Sequence, residues 1–589
     1  MARLKSIAQR IDKPILLVIA LSLFAWAPLT APGYFLKAHD APHSIFFLTE
    51  FDQAIRDGVL WPRWGIDFAL GYGYPLFNFY APLVFFVAET FHLLGAGLTG
   101  AVKLTYLVTF ISSALAMYAF VGRLWNKTAG VLAATVYTYA PYHLVDIYVR
   151  SSLAEFFAFI FFPLALLFFQ QLVETRQPRY VVLAGMTYAA VILSHNGTAF
   201  IFTLLLGSYL LFLLAMAWWQ GKRQGKLMSE VQRRPSPSLT SHAWLLIGAA
   251  LITALGLSAI FWLPMVTEQR FIKVEQWTSV SYDYQRHFIY PSQFLSPYWG
   301  YGYSGEGLLD DMSFQLGVVP LVLALTTVVI ALRCNGRNRA HVGFFGLVTL
   351  ILLFAMSPAS ASLWKGLPIT ALIQFPWRLL ALTTITTSIL AGAVVHHLAP
   401  QGAADDLNPL VGLLLVITIL ASREYLLPQY TDPSPRSEQP VAIIDFETFS
   451  YRDRVGMTSW VTEQPQTTPL VPEYLAGKRL TKAVALTEGA TVEMIRHGGA
   501  SEKVRIRSDR EATVQFRTYY FPGWRGYVDG QEVAIRPEGP QALITLEVPT
   551  GEHEVEIRFG DTPIRLVGKA ISILSLSAAL LFLVWSRKK

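Results

Sequence analysis

A single cysteine, Cys334, stands in a chain of 589 residues, so the sequence holds no internal disulfide and no thiolate metal cluster. Charge is also scarce: Asp, Glu, Lys and Arg together make 15% of the chain, against 53% hydrophobic residues. No Walker loop, dinucleotide fingerprint or HExxH pair occurs, and nothing points to a nucleotide energy source. The net charge of +7 reflects bias among loops and not a nucleic-acid partner.

What the sequence has instead is apolar runs of a length that soluble cores rarely need. The pattern is that of a polytopic α-helical membrane protein. Arg3, Lys5, Arg10 and Lys13 precede the first run, which places the N-terminus on the cytoplasmic side. Pro28 after Ala25-Trp26-Ala27 makes a poor cleavage site, so the run reads as an uncleaved anchor. Placing the remaining basic clusters inside as well gives spans near 14–31, 101–121, 129–145, 153–173, 180–194, 198–219, 243–265, 313–332, 341–357, 377–397, 408–427 and 566–586. That is about 12 helices near the ~20 residues a bilayer requires, with both termini cytoplasmic. Leu76 to Leu98 does not span in this solution. Its aromatic residues and Pro82 suit a juxtamembrane element within an outer stretch at 32–98.

The longest inner loop, Gly221 to Ser241, carries Arg234-Pro235-Ser236-Pro237-Ser238 and reads as a linker. The polar segments gather on the other face: His39 to Pro75, Tyr142 to Glu155, Ser194 to Asn196, Glu268 to Met312 and Ser357 to Arg378. Function is expected there. The composition changes again after the membrane region at 1–427. Between residues 428 and 565 charge rises and period-two alternation appears, as in Lys503 to Arg507, Thr513 to Arg517 and His553 to Arg558. Asp529-Gly530 marks a tight hairpin. The segment reads as an extracytoplasmic β-sandwich, followed by a last helix and basic tail at 566–589. Such a domain serves as a glycan-binding module or as a structural lid.

Within the outer segments, Asp40 lies just past the first span between His39 and His43, as a base at the membrane surface would. The three residue types also suit a divalent metal ion. Asp146 and Arg150 are four apart, on one helical face, where an ion pair is the plain reading and phosphate binding by Arg150 the functional one. His195 and Asn196 sit at the outer end of a span, where polar groups face a cavity or cap a helix. Arg378 follows Pro376 and Trp377 at a span's outer start. It either snorkels to headgroups or grips a phosphate with its planar fork. The loop from Glu268 to Met312 offers Arg270, Asp283, Arg286, His287, Asp310 and Asp311, with no spacing that selects a role.

His39-Asp40, Asp57 to Trp64, Gly71 to Pro75, Tyr139 to Glu155, Ser194 to Asn196 and Phe375 to Arg378 resemble the GT-C superfamily of membrane glycosyltransferases. The chain is most similar there to the bacterial membrane proteins labelled 6-pyruvoyl-tetrahydropterin synthase-related. Phe521 to Trp524, Asp529-Gly530 and Gly551 to His553 resemble the C-terminal domain of YfhO-type proteins. The resemblance implies no pterin chemistry. It implies a catalytic acid at Asp40 and a second at Asp146. It also implies a polyprenyl-phosphate-linked sugar in an outward cavity, and a glycan, lipid or protein acceptor. His39, His43, Arg150, His195, Asn196 and Arg378 would bind substrate. It fixes no cofactor and leaves a divalent metal open, because metal use varies in the superfamily. A flippase of lipid-linked glycans and a non-catalytic envelope scaffold are the alternatives.

Overall fold

The computed structural model describes residues 13–228, 239–277, 282–308, 310–332, 337–398, 409–431, 435–450 and 457–586. Arg3, Lys5, Arg10, Cys334, residues 229–238 of the inner linker and the terminal basic residues lie outside them. Among the described residues eight helices are long and apolar enough to cross a membrane. They include α1 (Lys13–Trp26), α4 (Leu98–Leu124), α7 (Leu153–Thr175), α9 (Asn196–Met228), α10 (Leu239–Glu268), α12 (Arg337–Met356), α13 (Leu380–Leu398) and α16 (Pro563–Ser586). Shorter helices lie between these: α2 (Ala41–Arg56), α3 (Leu83–Leu93), α5 (Lys127–Tyr139), α6 (Pro141–Tyr148), α8 (Arg179–Ser194), α11 (Val318–Ala331), α14 (Pro409–Ala421) and α15 (Pro440–Phe449).

Local chemistry sets the breaks. The Asn126 side chain accepts from the Ala129 amide at 2.8 Å and starts α5. The span expected at 129–145 is two helices: Ala140 is extended, and Pro141 opens α6 because it cannot continue the ladder of α5. Helix α3 has 11 residues, about 16 Å at the usual rise, well short of a ~30 Å hydrocarbon core. It is too short to cross alone.

Packing between the long helices uses small residues. A Cβ on Gly568 of α16 would lie 2.7 Å from the Ala259 carbonyl of α10, so only glycine permits this approach. Ser572 donates to Gly256 O at 3.0 Å across the same contact. Pro264 inside α10 lacks an N–H, which releases the Ile260 carbonyl; that carbonyl accepts from Arg63 at 2.8 Å.

The β-domain holds nine strands: β1 (Ala483–Ala485), β2 (Thr491–His497), β3 (Ser501–Ser508), β4 (Ala512–Tyr519), β5 (Trp524–Val528), β6 (Gln531–Val533), β7 (Ile535–Glu538), β8 (Leu543–Val548) and β9 (Gly551–Phe559). They form two antiparallel sheets, ordered β1-β4-β8-β7 and β2-β3-β9-β5-β6. The hairpin forms where expected, with Val528 opposite Gln531 and positive φ at Asp529 and Gly530. Inward residues such as Val504, Phe516, Leu546 and Ile557 make its core. Within the stretch read as the β-domain, residues before Ala483 form α15 and a connector that packs on the outer loop.

Polar contacts fasten this domain to the bundle. Asp67 accepts from His497 Nε2 at 3.0 Å and from the Tyr474 hydroxyl, while Lys482 Nζ donates to Gly71 O at 2.6 Å. Asp57 accepts from Ser501 Oγ at 2.7 Å. At the opposite end of the bundle Asn338 and Asn126 approach the two nitrogens of His396, at 2.7 and 3.4 Å. These contacts join the start of α5, the first turn of α12 and the last turn of α13. The mostly helical membrane architecture with C-terminal β-sheets is the expected fold class.

Candidate functional site

All five polar segments singled out in the sequence contribute to one cavity of about 1260 Å³. His39, Asp40, His43, Arg150, His195, Asn196 and Arg378 line it. Asp146 does not.

Asp40 is positioned by its backbone. It is the residue before α2, and its amide donates to Arg150 O at 2.7 Å while its carbonyl accepts from Ser44 N at 3.0 Å. The neighbouring His39 amide donates to Val149 O at 3.1 Å. The two outer segments are thus joined through backbone, and among the described residues no protein hydrogen bond reaches the half-buried Asp40 carboxylate. His39 Nε2 contacts Gly302 O at 2.8 Å; a carbonyl only accepts, so Nε2 carries the proton. Burial pushes its pKa down, with Asp40 opposing, so the ring is neutral near pH 7. His43 is buried among Phe446, Phe47 and Phe46, at 5.0, 5.8 and 6.3 Å between ring centroids. Among the described residues no group of three or more His, Cys, Asp or Glu converges as a metal site. His39 turns to Gly302 O and His43 to the Phe446 ring, so the two imidazoles do not converge on Asp40.

Opposite Asp40 stand two arginines. Arg150 uses Nη1 on three partners: Asp146 at 2.5 Å, Glu155 at 3.0 Å and the Tyr142 hydroxyl at 3.0 Å. The Tyr142 hydroxyl in turn donates to Glu155 at 2.7 Å. The guanidinium lies 4.7 Å over the Trp377 ring. Arg378 also spends only Nη1, on Ile373 O at 3.0 Å and Gln374 Oε1 at 2.8 Å, and its guanidinium lies 5.0 Å over Phe375. Gln374 holds a positive φ of 64°, which turns the chain so that residues 375–378 face the cavity.

Asp146, expected as a second catalytic acid, lies outside the cavity lining: its side chain is fully buried and pairs with the Arg150 guanidinium. The plain ion-pair reading of the four-residue spacing is the one the structure bears out. His195 and Asn196 divide in function. His195 Nδ1 accepts from the Thr198 amide at 3.2 Å, leaving the ring edge toward the cavity. Asn196 Nδ2 donates to Phe79 O at 2.6 Å and contacts Met265 Sδ at 3.2 Å, tying the outer loop to α10.

Several residues on the cavity carried no signal of their own in the sequence. Trp377 donates to Ser304 Oγ at 3.0 Å, and Ser304 also contacts His287 Nδ1 at 2.9 Å. Tyr80, Tyr303, Phe446 and Tyr519 complete the wall. They come from regions hundreds of residues apart, and only the fold joins them.

No curated protein matches the chain. Among solved structures it is similar over 72% of its length to the arabinofuranosyltransferase AftD from mycobacteria, at 14% identity and a TM-score of 0.45, spanning 27% of that chain. It is similar over 72% of its length to the oligosaccharyltransferase of Archaeoglobus fulgidus in the apo form, at 12% identity and 0.41, spanning 56% of that chain. The same organism's AglB, in complex with an inhibitory peptide and a dolichol-phosphate, gives 14% identity and 0.36 over 78% of this chain and 60% of that one. The chain therefore spans less than two thirds of each, and likeness at this level assigns neither substrate nor activity. A family match covers more than half of the 589 residues, from 77 to 426 and so through Arg150, His195 and Arg378 of the cavity: the chain belongs to the family of membrane proteins described as the 6-pyruvoyl-tetrahydropterin synthase related domain.

Proposed function

We propose that the protein is a membrane glycosyltransferase of the GT-C kind. It moves a sugar from a polyprenyl-phosphate donor to a hydroxyl of a cell-envelope acceptor, at the extracytoplasmic face and with inversion. The observation that carries this reading is Asp40, a carboxylate with no protein partner, facing a cavity shared with two guanidinium groups that each spend one nitrogen on the protein. A base and a phosphate grip are what a displacement at an anomeric carbon needs.

The acceptor oxygen attacks that carbon while its proton passes to Asp40. The bond from the carbon to the phosphate oxygen breaks, and its electron pair stays on the polyprenyl phosphate. Arg150 and Arg378 hold that phosphate and offset the charge that develops on it. Trp377 stacks under Arg150, and Asp146 with Glu155 fixes its direction. One displacement with no enzyme nucleophile inverts the centre. The extracytoplasmic side rests on the basic loops of the sequence, which favour the cytoplasmic face.

The test is sugar transfer by purified protein in a lipid bilayer, from a panel of polyprenyl-phosphate sugars. Asp40→Asn keeps the shape and removes the base, so turnover should collapse while polyprenyl-phosphate binding survives. Full turnover in Asp40→Asn rejects the mechanism.

A further inference from the structure

The loop between Tyr301 and Met312 is unused by the reading above, although it forms one wall of the same cavity. It is held firmly. His39 Nε2 donates to Gly302 O, Ser304 links to Trp377 and His287, and Gly305 N donates to the Asp310 carboxylate at 2.7 Å. Gly302 N donates to Asp311 O at 2.9 Å and Asp311 N to Tyr303 O at 3.3 Å, which closes the loop on itself.

The anchoring presents one large side chain. The Tyr303 ring stacks on the His39 ring at 4.1 Å between centroids and 20° between planes. That covers one face and fixes the orientation. The residue is nonetheless 68% exposed, so the other face is open. Tyr303 and Asp40 line the same cavity, and burial, then the Asp40 charge, raise the Tyr303 phenol above its ordinary pKa. Beside it, Glu306 and Arg286 form a loose pair at 3.7 Å, with side chains 74% and 53% exposed. An exposed pair this long contributes little to stability and re-forms readily around a ligand.

We propose that this wall is the acceptor subsite and that its occupant is a saccharide. The proposal rests on the glycosyltransferase reading and names the acceptor class for it. A ring with one fixed face and one free face accepts the C–H face of a pyranose by the same apolar stacking that aromatic side chains offer elsewhere. A carboxylate and a guanidinium alongside take the hydroxyls, as donors and acceptors respectively. A peptide is the poorer fit, because Tyr301, Gly302 and Tyr303 already pair with Asp311 and Met312 across the loop. A sugar seated on Tyr303 brings a hydroxyl beside Asp40, where the attacking oxygen has to be.

The test uses the full chain in lipid nanodiscs and saturation-transfer NMR with the methyl glycosides of glucose, galactose, mannose and N-acetylglucosamine. A hydrophilic hexapeptide serves as the contrasting probe. At least one glycoside should bind through its ring C–H protons. Tyr303→Ala should weaken it by about tenfold, the scale of a lost stacking platform. Tyr303→Phe should retain binding, and Glu306→Gln should weaken it. Polyprenyl-phosphate binding should be the same in every variant. No glycoside binding in the parent, equal binding in Tyr303→Ala, or peptide binding in place of glycoside overturns the acceptor assignment. Loss of polyprenyl-phosphate binding in the parent, with Tyr303-dependent glycoside binding intact, overturns the transferase reading and leaves the saccharide site standing.

Discussion

Two arginine–carboxylate clusters lie near the outer loop, and they differ in what they leave unused. In the first, Arg565 donates from Nε and Nη2 to Glu268, at 3.0 and 2.8 Å, from Nη1 to Gly560 O at 2.8 Å, and from Nη2 to Pro522 O at 2.8 Å. Asn78 and Thr562 fill the rest of Glu268, at 2.7 and 2.6 Å, and Arg63 reaches Asn78 at 3.0 Å. The cluster is closed and joins α10, α16, the outer loop and the β-domain. In the second, Arg150 and Arg378 each commit one nitrogen, and Asp40 commits none of its carboxylate. Both clusters hold buried arginine–carboxylate pairs, Arg565–Glu268 and Arg150–Asp146, so burial and pairing do not distinguish a clamp from a site. Spare hydrogen-bonding capacity aimed at a cavity does.

The sharpest way to break that distinction is Asp40→Asn. General-base help is worth roughly 10²–10⁴-fold in rate, and turnover should fall by that much. Since Asp40 holds nothing together through its side chain, the unfolding midpoint of the purified protein should not move. A large drop in that midpoint would place Asp40 with the clamp.

Glu268→Gln is the converse. It leaves Arg565 buried without its counter-charge, and breaking such a pair costs about 3–5 kcal/mol. Thermal unfolding in detergent should report it as a clear fall in the midpoint. Turnover per folded molecule should hold, because Glu268 is outside the cavity lining. Arg378→Lys is a smaller effect. It keeps charge and loses the fork, and should weaken polyprenyl-phosphate binding by about tenfold, the worth of one charge-assisted hydrogen bond. Unchanged binding would return Arg378 to a headgroup contact.

Much of this contrast was legible in the chain, and the reasons are physical. Basic loops alternate with polar ones, so the segments that meet at the cavity could be listed from side preference alone. Asp529-Gly530 fixed its hairpin because both residues take positive φ in the short turn. The break at Pro141 was hidden by the apolar content around it, although the proline itself was in view. Asp146 shows the limit for site residues. Spacing of four told that it meets Arg150, and could not tell which of the two faces the cavity. His43 looked like a ligand beside Asp40, and Phe446, some 400 residues on, makes it part of an aromatic nest. Tyr303 and Gly302 reach His39 across about 263 residues, which no local pattern records.

The smallest expected effect concerns pH and separates the two clusters by a different route. Burial pushes the His195 imidazole down to about 4, with Glu155 pulling the other way. The ordinary value is about 6.5. Between these values the unfolded chain binds a proton that the folded chain refuses. The neutral ring's contribution is therefore fully present above pH ~6.5 and is lost as pH falls toward ~4. The geometry agrees: Nδ1 accepts from the Thr198 amide and cannot do so when protonated. Unfolding midpoints measured at pH 7 and pH 5 should differ in the parent protein, and His195→Gln, which does not titrate, should narrow that difference. Glu268→Gln should lower both midpoints and leave the difference as it was. An unaltered pH dependence in His195→Gln would mean that the acid sensitivity resides in other groups, and that the cavity edge tolerates a charged imidazole.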